Sequence, residues 1–65
     1  MKLHCLDKNQ TEYTFYFSES EADTIRGSKM PVSKALDIVR DRLRDQGASE
    51  FLIFPKKGQA LEGMT

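Results

Sequence analysis

The sequence predicts an α+β fold: a small two-layer domain of order β-β-(short α)-α-β, an antiparallel hairpin plus a third strand with one amphipathic helix packed on one sheet face. Three observations predict it. Residues Glu12 to Ser18 alternate strictly between apolar and polar, Val32 to Leu43 repeat at helical spacing, and Glu50 to Phe54 form a short apolar run.

The first strand spans Lys2 to Leu6, with Leu3 and Cys5 on one face and His4 and Leu6 on the other. Asp7 to Thr11 is polar and turn-prone, a loop of about five residues that makes the pair a hairpin. In the second strand Tyr13, Phe15 and Phe17 point one way while Glu12, Thr14, Tyr16 and Ser18 point the other, the period of a half-buried strand. That strand is expected to end at Ser18.

Ser18-Glu19-Ser20-Glu21 matches a capping box, in which the serine side chain accepts from one backbone amide and the glutamate reaches back to another. Phe17 and Ala22 take the staple positions. Glu19 and Glu21 suit the positive end of the helix dipole, Arg26 suits the negative end, and Gly27 is a natural C-terminal cap. These features predict a short helix of about two turns.

Gly27-Ser28-Lys29-Met30-Pro31 interrupts the chain, and a second helix starts between Pro31 and Ser33, a candidate cap. Val32, Ala35, Leu36, Val39 and Leu43 fall on one stripe, with Ile38 on its flank. Lys34, Asp37, Arg40, Asp41, Arg44 and Asp45 cover the rest, and Gln46-Gly47 ends the helix. The run Glu50 to Phe54, between Ala48-Ser49 and Pro55, reads as a strand buried on both faces or nearly so. A crossover through the helices returns it parallel to strand two and antiparallel to strand one, in the spatial order two-one-three. Residues 1–58 then form one domain, and Gln59 to Thr65 are a tail, either flexible or adding a short edge strand.

With 65 residues the chain has room for one domain and a small core. One cysteine, Cys5, excludes an intrachain disulfide, and one histidine, His4, leaves too few of the usual ligands for a closed zinc site. Association is therefore the remaining source of extra stability. Ten basic side chains balance ten acidic ones, so long-range attraction to phosphate or anionic lipid is weak. The N-terminal residues lack the apolar stretch of a secretory signal, and no run reaches membrane-spanning length. Cytoplasmic localisation is the expectation.

Candidates for chemistry are few. His4 beside Cys5 hints at an activated thiolate, but adjacent strand residues point to opposite faces, so imidazole and thiol cannot meet. Gly27-Ser28-Lys29 lacks the upstream glycine of a phosphate loop. Glu19, Glu21 and Asp23 are explained by the helix dipole. Arg40, Arg42 and Arg44 alternate with Asp37, Asp41 and Asp45, which favours i, i+3 pairs such as Asp37 to Arg40 and Asp41 to Arg44 over a basic stripe. No enzyme, cofactor, metal or small-molecule substrate is indicated.

The informative feature is the sheet face turned away from the helix. Tyr16, His4 and Leu6 lie there, joined by either Phe51 and Ile53 or Leu52 and Phe54. The candidate interaction face is Tyr16, His4, Leu6, Leu52 and Phe54, an apolar surface of the kind that binds a protein partner or a second copy as a homodimer. The alternative is a nucleic-acid-associated protein that stacks bases on these aromatics, with Lys2, Lys56 and Lys57 at the rim.

Overall fold

Local hydrogen-bonding chemistry sets each turn of the chain. The structure, a computed structural model, describes residues 1–47 and 52–63. Strands β1 (Lys2–Asp7) and β2 (Glu12–Tyr16) form the hairpin, followed by helices α1 (Glu19–Arg26) and α2 (Pro31–Asp45) and strands β3 (Ile53–Pro55) and β4 (Leu61–Glu62). Asp7 organises the hairpin loop: its carboxylate accepts from the amides of Asn9 at 2.8 Å and Thr11 at 2.9 Å. The Asp7 amide meanwhile donates to the Thr11 carbonyl at 3.1 Å.

Strand β2 stops at Tyr16 rather than Ser18. The Phe17 amide still donates to the Met1 carbonyl, but the Ser18 amide turns to Glu21 Oε1 at 2.9 Å, the capping box claiming it for the helix. Ser18 Oγ accepts in return from the Glu21 amide at 3.2 Å. Gly27 caps α1 in the right-handed region, φ −79°, so no left-handed turn is needed there. Helix α2 starts at Pro31 with Met30 as its N-cap, which places Ser33 inside the helix and not at its end. It ends at Gln46, and Gly47 then takes φ 85°, the left-handed conformation that glycine adopts without steric cost.

The sheet order is β2-β1-β3, with β4 also on β1, and all three neighbours run antiparallel to it. Strand β3 pairs with Cys5 to Asp7 and β4 with Lys2 and Leu3. Because β2 occupies the other edge of β1, β3 and β4 are two pieces of one line interrupted opposite His4. The His4 carbonyl accepts from the Lys56 amide at 3.0 Å and its amide donates to the Ala60 carbonyl at 2.7 Å. Residues 56–60 thus leave the ladder and rejoin it at one β1 position, turning through Gly58 at φ 89°. Of the two expectations for Gln59 to Thr65, Leu61–Glu62 takes the second and adds a short edge strand to β1.

The core lies between the sheet and the two helices: Leu3, Cys5, Ile25, Ala35, Leu36, Val39, Ile53 and Ala60. Val32, Ile38 and Leu43 pack at its margin with Phe15 and Phe17. Strand three is not buried on both faces. Ile53 is buried, whereas Leu52 is 60 % and Phe54 50 % exposed, because nothing among the described residues covers the second sheet face. Glu50 and Phe51, the first half of the expected strand, lie outside the described residues. Arg44 pairs with Asp41 as its spacing implies, but Arg40 forms no ion pair with Asp37. No described helix is long and apolar enough to cross a membrane.

Candidate functional site

Strand register decides which side chains share the open face. Lys2 pairs with Tyr16, His4 with Thr14 and Leu6 with Glu12 across β1 and β2. On the other edge of β1, Leu6 pairs with Phe54 and Lys2 with Glu62. Directly paired residues point to the same side. Leu3 and Cys5 are wholly buried on the helix side, so Lys2, His4, Leu6, Glu12, Thr14, Tyr16, Phe54 and Glu62 face away from it.

The centre of this face is polar. His4 Nε2 lies 2.6 Å from Glu62 Oε2 and Nδ1 lies 3.1 Å from Thr14 Oγ1, so the imidazole ties β4 to β2 across β1. A carboxylate only accepts, so Nε2 carries the proton that bridges to Glu62. Lys2 Nζ stands 3.9 Å from the other Glu62 oxygen. The hydrogen bond from His4, then the charge of Lys2, hold the Glu62 carboxyl below its ordinary range. Lys56 pairs with Glu12 and lowers that carboxyl in the same way.

Thr14, His4 and Glu62 stand in the order hydroxyl, imidazole, carboxylate of a nucleophile relay. The neighbouring cavity of about 370 Å³ is lined by His4, Lys56, Lys57, Gln59 and Glu62 and not by Thr14. The three side chains clamp β4, β1 and β2 to one another.

At one end of the face lies a groove of about 590 Å³ lined by Leu6, Asp7, Lys8, Gln10, Phe54, Pro55, Lys56 and Lys57. Leu6 and Phe54 line it from the open face, and Pro55 lines it from the strand edge. The hairpin loop forms one wall and the excursion after Pro55 the other. Asp7 is committed to the loop amides and to the Tyr13 hydroxyl at 3.2 Å, and the Thr11 amide above all lowers its carboxyl. The lysines Lys8, Lys56 and Lys57 form a basic rim.

The structure gathers the expected residues unevenly. Leu6 and Phe54 meet Lys56 and Lys57 in one groove, so residues expected to serve two alternative functions share a site. Leu52, two residues before Phe54, extends the apolar surface. Tyr16 and Lys2 stand at the far end, since Tyr16 is paired with position 2 and Phe54 with position 6 of β1. Tyr16 and Phe54 are offset by about 13 Å along the strands and about 10 Å across them, with the His4 network between. The expected continuous apolar face is corrected to an apolar groove, a polar centre and an isolated tyrosine. His4 and Cys5 point to opposite faces, and burial pushes the Cys5 thiol up to about 11, Arg40 opposing weakly. Glu62 and Thr14 carried no sequence signal, because their roles depend on where β4 pairs. Among the described residues no group of three His, Cys, Asp or Glu is placed to hold a metal ion. No protein-family model, curated protein or solved structure matches the chain.

Proposed function

We propose that the chain is a non-enzymatic protein-interaction module whose groove at the Leu6–Phe54 end takes an extended partner segment bearing a large apolar side chain beside acidic residues. The observation that carries this reading is Phe54, 50 % exposed on a sheet face that no described residue covers and flanked by Lys56 and Lys57 in a groove large enough for side chains. An exposed aromatic on a rigid strand is a low-entropy anchor, and the lysine rim selects the sign of the partner's charge. Nucleic-acid binding draws less support. Lys2 is already held by Glu62, and Tyr16 stands too far from Phe54 for the two to stack successive bases.

Selection of peptides from a random display library against the immobilised chain tests the reading. The enriched peptides are expected to combine Phe, Leu or Trp with Asp or Glu, and to lose binding to the Phe54→Ala and Lys57→Glu variants. Peptides that bind Phe54→Ala as well as the parent, or a mixed-sequence oligonucleotide that binds more tightly than any peptide, would overturn it.

A further inference from the structure

We infer that the free edge of β2 pairs with the same edge of a second copy of the chain, antiparallel about a two-fold axis at Thr14, so that one sheet runs through a homodimer. This surface lies on the opposite edge from the groove and stands on separate observations.

The first is which backbone groups face outward. The Phe17 amide donates to the Met1 carbonyl at 3.1 Å and the Asp7 amide to Thr11 at 3.1 Å, so in this register the odd-numbered β2 residues bond to β1. The even-numbered positions of β1 turn the other way, as His4 shows by bonding to Lys56 and Ala60. The amides and carbonyls of Glu12, Thr14 and Tyr16 therefore point away from the sheet. Arg42 Nη1 donates to the Tyr16 carbonyl at 2.8 Å. The other outward groups of these residues have no partner among the described residues.

The second is the contrast between the two edges. On β3, Leu6 and Phe54 are the bonded pair, which turns Pro55 outward, where it has no N–H to offer. The excursion with Lys56, Lys57 and Gly58 follows. Proline, lysines and an interrupted ladder are the devices that keep a sheet edge from pairing. Strand β2 carries none of them: its five residues are Glu, Tyr, Thr, Phe and Tyr in an uninterrupted ladder.

The third is self-complementarity. Antiparallel pairing centred on Thr14 sets Thr14 against Thr14, Tyr13 against Phe15 and Glu12 against Tyr16 of the second copy. Every outward donor then meets an outward acceptor, and the Tyr16 carbonyl keeps Arg42 on its second lone pair. Glu12 faces a tyrosine and not its own copy, so no like charges are opposed. On the helix side Tyr13 and Phe15 are stacked, with ring centroids 6.4 Å apart and planes at 25°, and both are only half-buried. The dimer would continue this stack across the two-fold axis.

Sedimentation velocity of the full chain over a concentration series, combined with cysteine cross-linking, tests the interface. Bonded antiparallel partners have Cα atoms about 5.5 Å apart, within disulfide reach. Thr14→Cys is thus expected to cross-link to itself under mild oxidation, whereas Tyr16→Cys, offset from its own copy by four residues, is not. Tyr16→Glu sets a glutamate against Glu12 at both ends of the pairing and should raise the dimer dissociation constant roughly tenfold, with the helical circular dichroism unchanged. A chain that stays monomeric at millimolar concentration overturns the inference. So does a dimer in which Thr14→Cys cross-links no faster than Tyr16→Cys, or in which Phe54→Cys cross-links instead.

Discussion

The guanidinium of Arg42 lies over the ring of Phe17, 5.2 Å from its centroid. The same group donates to the Tyr16 carbonyl and pairs with the Glu21 carboxylate, which is itself half of the capping box of α1. One side chain of α2 thus fastens the end of β2, the linker residue and the start of α1. Arg42→Ala should cost about 1–2 kcal/mol, from lost hydrogen bonds and the cation–π contact. Arg42→Lys should recover less than half, because a single ammonium cannot reach both acceptors with a planar fork. Chemical denaturation measures both, and an unchanged midpoint in Arg42→Ala would show that the three contacts are incidental.

Neighbouring residues of β3 should respond in opposite ways to truncation. Ile53 is 2 % exposed in the core, and Ile53→Ala should cost ~2–5 kcal/mol, as should Leu36→Ala on the facing helix. Phe54, on the other face, should cost under ~1 kcal/mol when cut to alanine. Equal losses from Ile53→Ala and Phe54→Ala in urea titrations would mean that the second face is covered.

Cys5 should react with a thiol reagent only through opening of the structure. Its side chain is wholly buried and its pKa is pushed up to about 11, so little thiolate exists at neutral pH and none of it is accessible. The native labelling rate should rise in step with the unfolded fraction as denaturant is added. Fast labelling without denaturant would show that β1 opens locally.

Acid should weaken the fold. Glu21 is held below its ordinary range first by the Ser18 amide and then by Arg42, and Glu62, Glu12 and Asp7 are lowered too. A carboxyl with a lower pKa in the folded than in the unfolded chain contributes stability above its unfolded value and loses it as pH falls through its folded value. The denaturation midpoint should therefore fall below about pH 4.5. Glu21→Gln should be less stable at neutral pH and show a shallower acid decline, and identical acid profiles for the two proteins would remove Glu21 from the account.

The elements that rest on local chemistry were legible in the sequence. Alternation placed Leu3, Cys5, Phe15 and Tyr16 on their faces, the Ser18–Glu21 box started α1, the stripe through Leu36 and Val39 turned α2 to the sheet, and the single crossover implied the order β2-β1-β3. In each case a residue interacts with neighbours a few positions away, or with a face that periodicity alone defines. What the tertiary structure decided depends on pairing between distant segments. The run around Ile53 is apolar on both sides, so periodicity could not choose its buried face, and only packing against α2 did. The return of Leu61 and Glu62 to β1 placed a carboxylate on His4, and the register of β1 with its two neighbours separated Tyr16 from Phe54. A long-range register shifts side chains in steps of a whole residue, and no short stretch of sequence encodes the partner against which that step is counted.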